Sequence, residues 1–283
     1  MSSIIDIHPH IVSPDTKAYP LDPLGGTQST WSSERPTTYD DLLRAMDEAG
    51  VAKAAIVHSS TAYGYDNSYV ADAVKAVPSR FTGVYSIDTL APDAVKTFDY
   101  WLGRGGTGMR LFTTGSTLPG QATWFADPKT YPFWEHAAAT NIPVCVQMKQ
   151  EGIPLLRGIM DKFPKVTIIL DHLSRLPIEE GPPYKAADDF VALAKYKQVY
   201  LKITPLNVTP KNWGKATPET LFGKMIDAFG ADHIAWGSNF PNSLGTMKEI
   251  LTAAQKAFSF AKASDQDWIF GKTAQVLYPS LKD

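Results

Sequence analysis

The sequence predicts an α/β fold, a single-domain (β/α)8 TIM barrel, and three observations support this prediction. Eight short runs rich in β-branched residues recur along the 283-residue chain, and a longer amphipathic segment follows nearly every one. This alternation indicates parallel βα units, and eight such units fit a barrel of this chain length. We find no linker, internal repeat or low-complexity tract, so residues 1–283 are assigned to one domain.

The doubly wound parallel sheet is the alternative fold for the same alternation. That fold usually carries a glycine-rich phosphate-binding turn directly after its first strand. Here the corresponding position holds His8-Pro9-His10 instead of glycines. The barrel is therefore favoured.

The predicted strands are short apolar runs bounded by polar residues or by glycine and proline. In the first of them, Ile5 and Ile7 alternate with Asp6, His8 and His10. Successive side chains of a strand point to opposite faces, so we expect the three polar side chains to share one face. The eight predicted strands cover residues 4–10, 53–59, 81–88, 107–112, 142–148, 166–172, 199–204 and 234–239.

The segments between the strands have apolar residues at helical spacing and recognisable stop signals. For example, a helix that begins near Thr38 is apolar at Leu42, Leu43 and Met46 and stops at Gly50. The remaining predicted helices cover residues 67–77, 91–102, 128–140 and 154–163, a segment reaching 195, residues 218–229, and two helices that end at 277.

A long loop rich in proline, glycine and serine is predicted over residues 11–36. Loops of this length in compact domains are usually functional. This one carries Tyr19, Trp31 and Arg35, which either cover a pocket or pack the loop onto the barrel. We favour packing.

The composition narrows the class of partner. The chain has 27 basic and 29 acidic residues and a net charge of −2, which favours neither nucleic acid nor an anionic membrane surface. Its one cysteine, Cys145, excludes an internal disulfide and fits a reducing compartment. We see no signal peptide and no membrane span. We therefore expect a cytoplasmic protein that acts on a small molecule, without nucleic acid or membrane, and the sequence leaves a homo-oligomer open.

Polar side chains are concentrated where the predicted strands end, which is where barrel enzymes place their sites. Burying such groups without partners costs about 1–3 kcal/mol each, a cost that a shared substrate, metal ion or hydrogen-bond network would offset. This concentration is the main argument for an enzyme. The residues concerned are His8, His10, His58, Ser59, Ser60, Asp88, Arg110, Gln147, Asp171, His172, Lys202, Ser238 and Asn239.

The sequence resembles the amidohydrolase-2 branch of the amidohydrolase superfamily, which consists of TIM-barrel hydrolases that include 2-pyrone-4,6-dicarboxylate lactonase, other lactonases and some decarboxylases. The resemblance extends nearly from end to end, and its first and last motifs are the specific ones. It rests on residues 5–10 (Ile-Asp-Ile-His-Pro-His), 50–51 (Gly-Val), 108–111 (Gly-Met-Arg-Leu), 171–172 (Asp-His), 199–202 (Val-Tyr-Leu-Lys) and 236–241 (Trp-Gly-Ser-Asn-Phe-Pro).

The resemblance implies roles for four of these residues. His8 and His10 match the histidine pair of the first strand, and His172 matches the histidine that polarises the substrate carbonyl or binds metal. These three are the metal ligands if one divalent ion, Zn or Mn, is bound; metal-free operation also fits the family. Arg110 matches a cation that faces a substrate carboxylate, and its planar guanidinium suits such a group.

Asn239 departs from the family pattern, which has an aspartate at this position. An amide is neither a base at neutral pH nor a charged ligand. The chemistry is therefore run differently, or the chain is inactive by nature or through an engineered change. We interpret Asn239 as native, because Ser238, Phe240 and Pro241 keep the pattern around it.

Three further residues are candidates for substrate binding: Ser59, Gln147 and Lys202. Ser59 has the alternative of capping the next helix. Lys202 alternates with apolar neighbours, so it is expected to point into the barrel and pair with an acid, Asp6 or Asp171. Asp171 itself alternates with His172 and would then face outward.

Together these features predict a hydrolase that acts on a small lactone or related cyclic ester, carboxylated in the favoured case. Water would attack a carbonyl polarised by His172 or a metal ion. We expect His8, His10, His172 and Asn239 to converge at one mouth of the barrel. The alternatives are a non-oxidative decarboxylase and a barrel that binds a ligand without turnover.

Overall fold

The computed structural model describes residues 3–282, and its strands form one parallel sheet in chain order from β1 to β8. Every neighbouring pair is parallel, and helices surround the sheet. The predicted (β/α)8 barrel is thereby confirmed. The strands are β1 Ile4–Asp6, β2 Val51–Val57, β3 Phe81–Tyr85, β4 Gly106–Phe112, β5 Val144–Gln147, β6 Ile168–Leu170, β7 Val199–Ile203 and β8 Ile234–Trp236.

Hydrogen bonds between the ends of β1 and β8 bring the two edges of the sheet together. The backbone N–H of Ile7 donates to the carbonyl of Trp236 at 3.2 Å. Asp6 Oδ1 accepts from the backbone N–H groups of Ser238, at 2.8 Å, and His8, at 2.9 Å. The barrel is therefore nearly closed, and Asp6 joins its first and last strands instead of facing the cavity.

Two apolar layers make up the core. Inside the barrel, small and branched side chains such as Ile5, Val84 and Ile169 pack together, and Leu277 and Tyr278 from the C-terminal segment belong to the same cluster. The outward faces of the strands pack against the helices in a larger cluster. The interior is therefore filled, as in other barrels of this type, and a site can form only at its mouth.

As predicted, each strand is followed by at least one helix, but the lengths and bounds of the helices differ from the prediction. Where one helix reaching residue 195 is predicted, the structure has short 3₁₀ turns around a four-residue helix, and the loop 11–36 contains a short helix. Within residues 3–282, no helix is long and apolar enough to cross a membrane. The helices are α1 Thr30–Glu34, α2 Tyr39–Ala49, α3 Ser60–Tyr63, α4 Ser68–Ala76, α5 Ala94–Leu102, α6 Tyr131–Thr140, α7 Ile153–Lys162, α8 Asp188–Val191, α9 Pro205–Val208, α10 Pro218–Phe229, α11 Met247–Ala257, α12 Ala263–Asp267 and α13 Thr273–Leu277.

Candidate active site

A cavity of about 190 Å³ opens at the C-terminal ends of the strands. It is smaller than the roughly 300–1,000 Å³ of typical ligand pockets, which points to a small ligand. Most of its wall is polar, and no aspartate or glutamate of the described chain lines it. The lining residues are His10, Trp31, His58, Ser59, Ser60, Thr61, Arg110, Phe112, Ser116, Gln147, His172, Arg175, Leu206, Asn239 and Asn242.

Three imidazoles meet at the base of this cavity. The ring centre of His8 lies 4.8 Å from that of His10 and 4.8 Å from that of His172. His8 is fully buried, whereas His10 and His172 line the cavity. Gly237 permits this arrangement, because a Cβ there would lie 2.4 Å from the Cβ of His8.

His8 reaches the interior because the strand ends before it. Ile5 and Ile7 both belong to the apolar cluster inside the barrel. The chain bends at Ile7, so strict alternation stops there and His8 also turns inward. The expectation that Asp6, His8 and His10 share one face is therefore wrong for Asp6.

His10 is held by one ring nitrogen and presents the other. Its Nδ1 lies 2.8 Å from the carbonyl oxygen of Val57, and a carbonyl can only accept, so Nδ1 carries the proton. Burial, with the nearby charge of Arg110, lowers the pKa of His10 to about 3. The ring is thus neutral at pH 7, and its unprotonated Nε2 carries a lone pair.

His172 is likewise neutral and held through Nδ1. That atom lies 2.7 Å from Oγ1 of Thr204. Burial lowers the pKa of His172 to about 3, even though the charge of Asp171 works in the other direction. The pKa of His8 also lies well below its usual value, again mainly because of burial.

Asp171 lies between two cations inside the barrel. Its Oδ2 accepts from Arg110 Nε at 2.8 Å, and its Oδ1 lies 2.8 Å from Lys202 Nζ and 3.8 Å from His8 Nδ1. Burial alone would raise the pKa of the carboxyl, but Lys202 and Arg110 outweigh it and hold the pKa below its usual value. Asp171 is therefore an ionised, compensated carboxylate.

The expectation that Asp171 faces outward is wrong. Ile169 of β6 points into the barrel, and Asp171, two residues later, continues that inward alternation. His172 comes inward as well because the backbone turns left-handed there, with φ +54°. Strand alternation does not apply across such a turn.

A metal ion fits part of this arrangement. Both ring nitrogens of His8 are buried, and neither has a hydrogen-bond partner among residues 3–282, which is costly unless a ligand completes the site. Ligand atoms of His8, Asp171 and His172 all lie within 4.8 Å of one another. Neutral imidazoles and a carboxylate are a normal donor set for a divalent ion.

The predicted substrate-binding residues are only partly brought together at the cavity. Arg110 and Gln147 line it and contact each other, since Arg110 Nη2 donates to Gln147 Oε1. Ser59 lines it too, but its hydroxyl donates to the carbonyl of Ile11 at 2.9 Å. Lys202 is fully buried, pairs with Asp171 and does not line the cavity, so its assignment to substrate binding is corrected.

Asn239 lies at the cavity wall as part of an amide network. It is 2% exposed and has φ +52°, a conformation that asparagine tolerates better than most residues. Its Nδ2 donates to Ser243 Oγ at 3.0 Å, and its Oδ1 accepts from Asn242 Nδ2 at 3.5 Å. The site therefore uses both ends of an amide at this position.

The sequence did not predict Arg175 as a site residue, and it left open whether Trp31 covers a pocket or packs the loop down. Arg175 is exposed at the mouth, and its position three residues after His172 gives no local signal. Trp31 of the long loop lies 5.3 Å from the ring of His10, ring centre to ring centre, so it covers the cavity. Tyr19 and Arg35 instead pack the loop down, through Asp72 and through the carbonyls of residues 241 and 242.

The chain is similar to a known protein family and, over part of its length, to a known lactonase. The family model described as amidohydrolase matches residues 5–280. The L-fucono-1,5-lactonase of Burkholderia ambifaria is 25% identical over 127 residues, and the match spans 42% of this chain and 42% of that protein. Less than half of the curated relative is therefore covered.

Solved structures match the fold over almost the whole chain. One is an amidohydrolase from Burkholderia multivorans with bound zinc, with a TM-score of 0.78, 18% identity, and 98% of this chain and 99% of that chain covered. Another is a probable 2-pyrone-4,6-dicarboxylic acid hydrolase from Acinetobacter baumannii with bound citric acid, with a TM-score of 0.76, 16% identity, and the same coverage of both chains. At these identities the likeness concerns the fold.

Proposed function

The chain belongs to the amidohydrolase family, and from this premise we propose that it hydrolyses a small carboxylated lactone or related cyclic ester. The observation that carries the proposal is the combination of neutral imidazoles and guanidinium groups around one small cavity. The imidazoles provide proton acceptors and metal ligands, and the guanidinium groups attract a carboxylate. The lactonase among its relatives and the citrate-bound structure of similar fold support the same class of ligand.

Arg175 and Arg110 divide the recognition of the substrate carboxylate. Arg175 has no ion-pair partner within residues 3–282 and stands at the mouth, free to bind an anion. Arg110 donates from Nε to Asp171 and from Nη2 to Gln147, so its charge is already paired with that of a buried carboxylate. Arg175 is therefore the main anion-binding group, and Arg110 adds to the positive potential.

The imidazoles carry the chemistry. His8 and His172, with Asp171 beside them, are placed to hold one divalent ion, and zinc in a structure of similar fold makes zinc the first candidate, with manganese as the other. When bound, such an ion supplies the charge that polarises the carbonyl. Because Asn239 is not a base, we assign His10 Nε2 as the acceptor of the proton from water.

A decarboxylase is the second candidate, and one specific observation favours it. No carboxylate of the described residues lines the cavity to activate water. Loss of CO2 needs no activated water, only a group that returns a proton to the carbon atom. The same cavity could therefore serve a carboxylated aromatic or unsaturated acid.

The test is a panel of small lactones and esters, each in a carboxylated and a neutral form, with metal content measured on the same preparation. Hydrolysis is followed by proton release, and CO2 release is followed in parallel. We expect kcat/KM at least about tenfold higher for the carboxylated lactones and loss of activity in His10→Asn. His136→Gln, on a helix outside the barrel, is the matched control. CO2 release would establish the decarboxylase, and binding without turnover would establish a ligand-binding barrel.

A further inference from the structure

A left-handed turn presents His172 and Arg175 to the cavity. Four consecutive residues other than glycine have positive φ there: His172 +54°, Leu173 +49°, Ser174 +48° and Arg175 +52°. A left-handed conformation is unfavourable for an L-residue, because its Cβ comes too close to the following carbonyl oxygen. Such a run persists only if surrounding groups hold it in place.

Side chains from two other loops bind the carbonyl groups of this turn. Asn207 Nδ2, in α9, donates to the carbonyl of His172 at 3.0 Å. Gln150 Nε2, before α7, donates to the carbonyl of Ser174 at 2.8 Å. Leu173 and Ser174 are fully buried, so the turn is fixed by packing as well.

The amide of Asn207 can have only one orientation. Its Oδ1 accepts from the backbone N–H of Thr204 at 3.1 Å, and its Nδ2 faces the carbonyl of His172. A backbone N–H cannot accept and a carbonyl cannot donate, so exchanging the two ends would break both bonds. Asn207 therefore offers an acceptor, and never a donor, towards Thr204.

The hydroxyl of Thr204 lies between Asn207 and His172. Its Oγ1 is 3.4 Å from Asn207 Oδ1 and 2.7 Å from His172 Nδ1. The hydroxyl donates to Asn207 Oδ1, which can only accept, and in this arrangement a lone pair of Oγ1 faces His172 Nδ1. Thr204 is fully buried, so bulk solvent does not reach this hydroxyl.

We propose that Thr204 and Asn207 are positioning residues that hold His172 as the Nδ1–H tautomer. In this tautomer its Nε2, on the cavity side, is unprotonated. The two residues act on His172 twice, since Asn207 also binds its carbonyl in the left-handed turn. In the proposed hydrolase, on which the catalytic consequence rests, a bare Nε2 can bind a metal ion or take up a proton but cannot donate to a carbonyl. Its tautomer thus decides which role His172 can play.

The direct test is the ring tautomer of His172, measured by long-range 1H–15N correlation on 15N-labelled protein at pH 7. The His172→Gln variant identifies the signals. We expect the Nδ1–H form in the natural chain, whether or not Nε2 carries a metal ion. The Nε2–H form in the natural chain would overturn the proposal, and this measurement needs no altered protein.

Variants then test which group sets the tautomer. Thr204→Val removes the hydroxyl at nearly constant volume and should shift the ring towards Nε2–H, whereas Thr204→Ser should keep Nδ1–H. Thr209→Val is the matched control, because Thr209 Oγ1 donates to the carbonyl of Pro205 on the exposed side of α9. An unchanged tautomer in Thr204→Val would also overturn the proposal.

Kinetics supply a second readout. Loss of a partner that orients a catalytic imidazole typically costs about 10–100-fold, so Thr204→Val should lower kcat by that factor at nearly constant KM. Thr204→Ser should retain most of the activity. A natural chain inactive on every substrate would contradict the proposed function, whereas the tautomer measurement would still decide the proposal made here.

Discussion

Arg110 and Asp171 form a buried ion pair in which Arg110 Nε donates to Asp171 Oδ2 at 2.8 Å. Lys202 approaches the other carboxylate oxygen to the same distance. The carboxylate thus ties β4, the end of β6 and β7 together below the cavity. This arrangement changes what substitutions at the cavity arginines are expected to do.

Arg110→Lys should mainly affect stability, whereas Arg175→Gln should mainly affect substrate binding. A lysine cannot keep both the bond to Asp171 and the bond to Gln147, and disturbing a buried pair is expected to cost about 2–3 kcal/mol. Arg175 is exposed, so Arg175→Gln should raise KM for carboxylated substrates about tenfold or more with little change in unfolding. Urea unfolding and steady-state kinetics on both variants check this. An unchanged KM in Arg175→Gln would contradict its role in anion binding.

Lys202→Met should destabilise the protein by about 3 kcal/mol, because it removes one of the two cations that compensate a buried carboxylate. The double variant with Asp171→Asn should lose less than the sum of the single losses, with a coupling of at least about 1 kcal/mol. Denaturant unfolding of the four proteins gives this cycle. The exposed pair Arg44–Asp41 is the control, and Arg44→Gln should change stability by at most about 0.5 kcal/mol.

Asn239→Asp should bind divalent metal at least about tenfold more tightly, because it places a charge beside neutral imidazoles. Turnover should not increase, since the native amide donates to Ser243 and accepts from Asn242. Calorimetric zinc titration and kinetics measure both effects. A rise in turnover of about 10²–10⁴-fold, typical of a restored general base, would show that the asparagine is not the native functional group.

Stability should fall when the pH is lowered from about 6.5 towards 4. Burial holds the pKa of His10 and His172 at about 3 and that of His58 at about 4, against 6.5 in the unfolded chain. Between these values the unfolded chain binds more protons, so each histidine costs up to about 1.4 kcal/mol per pH unit. Asp6, whose pKa burial raises to about 6, acts in the opposite direction between 3.8 and 6, but it is one group against four, since burial lowers the pKa of His8 as well.

Urea midpoints at pH 7, 6 and 5 measure this dependence. We expect them to fall steadily at constant m-value. A midpoint that stays constant or rises towards pH 5 would mean that these rings are protonated without penalty in the folded state. That result would also mean that burial does not keep these histidines neutral at the cavity.

The sequence by itself determined the barrel and the end of it that carries the site. Each βα unit has a local signature, an apolar run followed by a helical segment with caps and stops, and eight such units leave few arrangements. Parallel strands then bring their C-terminal ends to one mouth. For this reason His10, Arg110, Gln147, His172 and Asn239 could be placed at the cavity from sequence alone.

Only the tertiary structure decided which way the residues at the strand ends face and which partners they take. Strand alternation ceases where the backbone bends at Ile7 or turns left-handed at His172, and neither event has a local sequence signal. Pairing depends on distances across the barrel, which place Asp171 between Arg110 and Lys202 and leave Arg175 free at the mouth. Such contacts join residues far apart in the chain, so their energies act only after the fold has brought them together.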